Sequence, residues 1–355
     1  MRSEELFQFL KEIIGIPTIS GFESENIEKI AKACLDFAGG FFDGYEILPS
    51  GSVLFCRKCG KENAKKLVFD AHIDTIGFAV SELCPDGFVK VTNLGGVDPY
   101  ILPATPVKIY GKEELYAVFS SIPPHLAKKD EKQELKISDL FVDTGLEDEA
   151  LKNVVSIGTP CGFAENPVLL QNGIIASHSL DDKACVAAAI LCCRKLAQSG
   201  KDLCCDVYVH LAAGEERNAL GAKTLPYFLD ADACVVLDVN FAKAVGIESY
   251  ESLVLGKGAG VSYSASTKRS FTDFVVDTAK NCGLPMQSVV EMRSTGTNAT
   301  QMHRNGIASA VLSVPLKNMH TFSEEVSLSD IESCADVLAA VAGEFYNFEC
   351  IKRIV

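Results

Sequence analysis

The sequence predicts an α/β fold, one large α/β domain split by a small β-rich insertion. Three observations carry this. Helical apolar periodicity alternates with short apolar strands at both ends of the chain, as a mainly parallel sheet covered by helices requires. From about residue 78 to 172 the texture changes to short β-type segments between Gly, Pro and Asp turns. A length of 355 residues is long for one hydrophobic core and comfortable for two. The division expected is therefore 1–77 with 173–355 for the main domain, and 78–172 for the insertion.

The elements follow in order. Leu6, Phe7, Phe9, Leu10, Ile13 and Ile14 form a broad helical apolar face that ends before Pro17. Ser20-Gly21 opens a second helix through Glu23 to Phe37, stopped by Gly39-Gly40. Val53-Leu54-Phe55 and Leu67-Val68-Phe69 read as strands. Within the insertion, residues 88–91, 107–110 and 115–119 are β-type, punctuated by Gly95-Gly96, Asp98-Pro99, Pro103 and Pro123-Pro124. After Asn172-Gly173, a helix runs from Asp181 to Ser199 and is closed by Gly200. Asp206 to Ala213, Ala233 to Leu237 and Ala308 to Val314 are buried strands, and Phe271 to Asn281 and Ser329 to Phe345 are helices.

Composition narrows the function. Lys+Arg of 33 against Asp+Glu of 47 leaves a net charge of −14, a poor basis for binding nucleic acid or anionic lipid. A hydrophobic content of 48% excludes intrinsic disorder. The longest apolar run, Ala184 to Cys193, is well short of the ~20 residues that span hydrocarbon. Glu4-Glu5 and Lys11-Glu12 interrupt any signal-peptide core. Fourteen cysteines in so long a chain, with Cys192-Cys193 and Cys204-Cys205 inside apolar runs, read as reduced thiols. A cytoplasmic location, with no membrane and no nucleic-acid partner, is expected.

Metal-ligand residue types stand at the carboxyl ends of four apolar runs. These deliver His72 and Asp74, Glu215 and Glu216, Asp238, and His320. In an open α/β sheet the ligand crevice lies outside those strand ends. Singly, each has a plainer role: a structural histidine, a solvated acidic turn, a capping aspartate. Their recurrence at one topological location suits a divalent cation, which would offset the cost of burying so many carboxylates. In His72-x-Asp74 the two side chains face the same way, so the Asp74 carboxylate can orient the imidazole. Asp181-Asp182 begins a long helix. Ser179 and Asp182 resemble a capping box, whereas Asp181 can reach the cleft. The pattern alone leaves a metal centre and a set of structural acids both open.

The ordered motifs His72-Ile-Asp74-Thr-Ile-Gly77, Leu180-Asp181-Asp182-Lys183, Glu215-Glu216 with Gly221-Ala222, Asp238-Val-Asn, Gly296-Thr297-Asn298-Ala299 and His320-Thr-Phe-Ser-Glu324 resemble metallopeptidase family 42. This family comprises the glutamyl/leucyl and deblocking aminopeptidases, TET-type enzymes included, some of them labelled endoglucanase M. The resemblance extends to Ile16-Pro17, Ser20-Gly21-Phe22-Glu23, Gly95-Gly96-Val97-Asp98-Pro99, Leu102-Pro103 and Pro123-Pro124-His125-Leu126. It implies a phosphorylase/hydrolase-like α/β catalytic domain with a PDZ-like dimerisation insertion, in many members assembled as a tetrahedral dodecamer. It also implies two divalent ions per subunit, zinc or cobalt. Asp181 would bridge them, His72 and Asp238 would bind one, and Glu216 and His320 the other. Glu215 would be the general base for hydroxide attack on peptides with a free amino terminus, with Asp74 supporting catalysis. A cis peptide between Asp181 and Asp182 is a further expectation.

Three positions depart from the family pattern: Asn298 where Asp is usual, Arg217-Asn218 where Val-Gly or Ile-Gly is usual, and Lys183 where Arg is usual. A changed charge near the cleft bears on substrate choice, and none of the five expected ligands is altered. Cys56-Arg-Lys-Cys59 lacks a second pair at zinc-finger spacing, and Gly256-Lys-Gly258-Ala-Gly260 reads as a loop. His125, His210 and His303 have no partner legible in the sequence, and His178 stands near Asp181 without a clear role. Two other functions compete with the aminopeptidase. One is an endoglucanase-type glycoside hydrolase, in which histidine ligands would have no purpose. The other is a metal-binding shell protein that has lost activity.

Overall fold

The computed structural model describes residues 3–121, 134–164, 166–291, 298–300 and 306–349. Pro123-Pro124-His125-Leu126, Gly296-Thr297 and His303 lie outside them. Among the described residues no helix is long and apolar enough to cross a membrane.

One eleven-stranded sheet forms the frame of the molecule. Its centre is parallel: Asp206–Ala212, Lys66–His72, Ala233–Phe241 and Ala308–Lys317 lie side by side in that order. The flanks are antiparallel, so the sheet is mixed where the sequence predicted a mainly parallel one. Gly44–Ile47 and Val53–Arg57 form a hairpin, which needs no crossover helix to reach its place beside Asp206–Ala212. On the other side Glu324–Ser327, Ile174–Ser177 and Val168–Leu169 extend the sheet, each antiparallel to its neighbour. Part of the Gly256–Gly260 stretch is also strand, Ala259–Tyr263, while the Gly256 and Gly258 N–H groups donate to Asp330.

Side-chain alternation sorts the two faces. On the strand Lys66–His72, Leu67, Phe69 and Ala71 enter the main core beneath the helices Ser3–Ile14, Ile27–Ala38, Leu180–Ser199 and Leu328–Glu344. Val68 packs on the opposite face with Ala222, Leu225 and Val236, and by the same period Asp70 and His72 point that way. The helix Leu180–Ser199 is buried from Leu180 through Cys193 because the sheet and its neighbouring helices enclose it on every side. This places its first turn, with Asp181 and Asp182, beside the end of the central strands. The helix Leu220–Phe228 was not legible in the sequence, since Gly221 and Pro226 weaken its pattern.

The insertion is a closed β-barrel of six strands, running in order Gly77–Leu83, Phe88–Leu94, Val142–Asp143, Glu114–Phe119, Pro106–Tyr110 and Pro160–Phe163. Phe78, Val89, Val107, Phe119 and Phe163 fill it, and closure leaves no free edge. It follows His72 after four residues, so one of its loops lies against the strand-end cluster. A Cβ on Gly95 (φ +87°) would stand 2.7 Å from Ile76 Cγ2 and 3.2 Å from Glu216 Oε2, and one on Gly96 would stand 3.1 Å from His320 Nδ1. The described cysteines are all free thiols, with Cys192, Cys193 and Cys205 buried.

Candidate metal centre

The parallel strands end on polar residues at one edge of the sheet, and turns beyond them close the site. His72 ends its strand almost fully buried. Its Nε2 lies 3.0 Å from Asp181 Oδ1. The other oxygen of Asp181 is 3.3 Å from His320 Nε2, and that nitrogen is 3.4 Å from Glu216 Oε1. Two triads of potential ligand atoms result, each with all atoms within 4.8 Å of one another: His72, Asp181 and Glu216; and His72, Asp182 and Asp238. The five expected ligands are thus drawn into one cluster, and Asp182 joins them.

Asp182 is where sequence reasoning fell short. The Ser179–Asp182 capping box does not form: Ser179 is left-handed and makes no side-chain cap, and its Oγ contacts His178 Nδ1 instead. The Asp181–Asp182 peptide is cis, as expected. Asp182 Oδ2 accepts from the His72 backbone N–H at 3.2 Å. Its Oδ1 is buried and meets no N–H or O–H donor among the described residues, the Cys185 thiol being the carboxylate's other polar neighbour. A second correction concerns Asp74. His72 Nδ1 is bonded to the Asp74 backbone carbonyl at 2.9 Å, while the nearer carboxylate oxygen stands off at 3.6 Å. That carboxylate is turned to the next turn, where it accepts from the N–H groups of Glu215 at 2.9 Å and Glu216 at 3.2 Å.

Electrostatics tests whether a cation fits. Burial, reinforced by neighbouring carboxylates, pushes Asp182 and Asp238 well above the usual carboxylate range. Burial likewise raises Glu215 to about 7, against the pull of His72, and Glu216 to about 8, where Asp181 adds to it. Burial opposes the charged form of Asp181 too, but hydrogen bonds from His320 and His72 overcome it and hold that carboxyl well below its usual value. Desolvation is the largest influence on His320 and lowers it, yet the bond to Asp181 prevails and lifts it to about 9. So many buried acids share too little positive charge. Imidazole nitrogens and carboxylate oxygens are the donors zinc and cobalt take, and a cation would offset the burial of Asp182 and Asp238 beside one another. The residues present fit divalent metal.

Beneath the cluster lies a layer the sequence did not reveal. Asp70 accepts from the Asn298 amide at 2.8 Å and lies 2.5 Å from His210 Nδ1. All three are buried. Asn298 therefore spends its amide on Asp70, and His210 has its partner across the parallel strand pair. Arg217 and Asn218 are exposed. Lys183 is buried, donates to the Ile16 carbonyl at 2.8 Å, and is lowered to about 7 by desolvation. Glu23 accepts from the Gly214 N–H at 3.0 Å. Glu23 and Glu324 stand in motifs the sequence singled out, but only contacts across the fold show what they hold.

A central parallel sheet, a cluster of histidines and carboxylates at its strand ends and a barrel set against that cluster define an α/β metallohydrolase type of molecule. The chain belongs to the M42 glutamyl aminopeptidase family, which it matches over residues 51–337. It is 30% identical over 345 residues to the lysyl aminopeptidase of Pyrococcus furiosus, covering 95% of this chain and 97% of that one. Its fold is similar to the TET aminopeptidase of the marine sediment archaeon Thaumarchaeota archaeon SCGC AB-539-E09, with a TM-score of 0.86, 27% identity and 96% of each chain covered. It is similar also to the Pyrococcus horikoshii TET1 peptidase, which assembles into a tetrahedron or a large octahedral shell, with a TM-score of 0.82, 25% identity, and 96% of this chain and 99% of that one covered. The protein is a hydrolase of the aminopeptidase class.

Proposed function

We propose that the chain is a two-ion aminopeptidase that removes amino-terminal residues from short peptides. The observation that carries this is the pair of overlapping triads joined at His72, with Asp181 between the two histidines. Asp181 would bridge the ions, His72 and Asp238 would hold one, and Glu216 and His320 the other, with Asp182 facing the first. Zinc or cobalt suits these donors. A bound ion pair would lower the pKa of water towards ~7 and polarise the scissile carbonyl. Glu215 takes the proton of the attacking water and passes it to the departing amine. Desolvation raises Glu215 to about 7 in the metal-free chain, and bound cations would lower it, leaving an ionised carboxylate able to accept a proton. Asp74 fixes the turn that carries both glutamates.

The same reading assigns residues 1–77 and 173–355 to a catalytic domain of the phosphorylase/hydrolase-like kind, and the insertion to a PDZ-like dimerisation domain. The pairing of Val168–Leu169 into the large sheet supports drawing the far boundary back from 172 towards 164. The tetrahedral and octahedral shells of the Pyrococcus horikoshii TET1 peptidase support self-association, which we read as dimers that build a tetrahedral dodecamer, and the location proposed is cytoplasmic. Glycoside hydrolysis would need only two carboxyls flanking a sugar bond and gives His72 and His320 nothing to do. The test is metal analysis joined to turnover on a panel of aminoacyl anilides, lysyl and glutamyl among them, against a soluble cellulose derivative. Turnover of an anilide dependent on added metal is expected. Bound metal without turnover of any anilide would favour the inactive shell.

A further inference from the structure

Three of the proposed ligands lie off the strands: Glu216 in the short helix Glu215–Asn218, Asp181 in the first turn of Leu180–Ser199, and His320 in the turn before Glu324–Ser327. Asp181 comes four residues after Ser177 (181 − 177), the end of the strand Ile174–Ser177, and His320 comes four before Glu324 (324 − 320), the start of Glu324–Ser327. These strands are antiparallel neighbours, with Ser177 directly opposite Glu324. The backbone ladder therefore stops where both turns begin and cannot by itself fix one turn against the other. The Glu324 side chain continues where the ladder ends. Its Oε2 accepts from the Asp181 N–H at 3.1 Å and its Oε1 from the His320 N–H at 2.9 Å. The side chain is 1% exposed. His320 is held at φ +61°, a conformation that non-glycine residues adopt only when their surroundings impose it.

We infer that Glu324 is a positioning residue: its carboxylate spans the Asp181 and His320 turns, sets the spacing of their side chains and so fixes the fit of the ion they would hold with Glu216. This rests on the two-ion reading above. Both oxygens of Glu324 face backbone donors, and it belongs to neither ligand triad, so it acts through Asp181 and His320. Burial and the neighbouring Asp181 carboxylate push Glu324 upward, and the two N–H groups oppose them by favouring its ionised form. Groups that orient ligands in this way are worth ~10–100-fold in metal affinity.

The test is Glu324→Gln in the full chain, stripped of metal and titrated with Zn²⁺ by calorimetry and with Co²⁺ by visible absorption. Glutamine keeps the size but turns an NH₂ toward one of the two N–H groups. Wild type should take two ions. The variant should bind the ion shared by His320 and Glu216 at least ~10-fold more weakly. The other ion, which meets Glu324 only through Asp181, should be weakened less, with the larger change in the cobalt spectrum at the weaker equivalent. Two ions bound with unchanged affinity and spectrum would overturn the role of Glu324 and leave the two-ion reading standing. Equal loss of both ions would also overturn it. Fewer than two ions in wild type would overturn the two-ion reading, and this inference with it. Circular dichroism checks folding, and should Glu324→Gln be unfolded, Glu324→Asp decides: it keeps the charge but reaches only one amide, so unchanged binding of both ions there would overturn the inference.

Discussion

Asp74 holds Glu215 by its backbone: one carboxylate oxygen accepts the Glu215 N–H at 2.9 Å and the other accepts that of Glu216 at 3.2 Å. The short helix Glu215–Asn218 begins at Gly214, which has no side chain to cap it. Its first N–H groups would otherwise be orphaned, and two buried carboxylates, Asp74 and Glu23, take them. The same device recurs around the cluster, with Asp182 accepting from His72 and Glu324 from Asp181 and His320. The glutamate side chains are thereby left free to face the site.

Those adjacent glutamates should separate cleanly. Glu215→Gln keeps its shape but cannot accept a proton. Its metal content should stay near wild type while turnover falls ~10²–10⁴-fold. Glu216→Gln replaces an anionic ligand with a neutral one and should lose metal. Metal analysis and anilide turnover on both variants check this, and equal metal loss in the two would mean that the base is misassigned.

Gly95 should tolerate no side chain. An alanine there meets Ile76 at 2.7 Å and Glu216 Oε2 at 3.2 Å at a φ of +87°. Gly283 has a similar positive φ of +66° but open space around it. Gly95→Ala should cost more than Gly283→Ala by ~1–3 kcal/mol in urea unfolding and should weaken metal binding, which Gly283→Ala leaves intact.

The metal-free protein should lose stability as pH rises. Glu215 at about 7, Glu216 at about 8 and His320 at about 9 all lie above their ordinary values of 4.5, 4.5 and 6.5. Between pH ~4.5 and 8 these groups outweigh Lys183, which desolvation lowers to about 7 and which therefore gives up its proton earlier in the folded chain, so the slope of stability with pH is negative there. Urea midpoints of the stripped protein should fall from pH 5.5 to 7.5, and saturating zinc should remove most of that fall. A midpoint that rises over this range would contradict the crowding of buried acids.

Asn298→Asp, the residue usual in the family, should be destabilising here. It would set a second buried carboxylate against Asp70, 2.8 Å from the present amide nitrogen. A loss of ~2–4 kcal/mol at neutral pH is expected. Combining it with Asp70→Asn restores one acid and one amide and should recover much of the loss. Chemical denaturation of the two single variants and the pair gives the coupling directly.

Self-association should depend on the barrel. Light scattering of the intact chain at micromolar concentration should show dimers or larger assemblies. Monomer alone would remove the dimerisation role proposed for the insertion.

The pattern of residues determined a good deal. Apolar periodicity located the central strands, the buried helix after Asp181 and a separate β-rich segment, because burial on one or both faces is written into the sequence as spacing. The residue types at strand ends singled out His72, Glu215, Glu216, Asp238 and His320 by their common position beyond apolar runs. Periodicity says nothing about partners, however. It did not show that the flanking strands run antiparallel, since a short strand reads alike in either direction. It left His210 without a partner, because Asp70 lies 140 residues away and only the parallel pairing of their strands brings them together. It made Asp182 a helix cap, although the backbone before it bends so that the carboxylate turns to His72 and Asp238. A hydrogen bond between distant segments leaves no local trace in a chain. The acids that hold the ligand turns by their backbone N–H groups could be recognised only once the fold had closed.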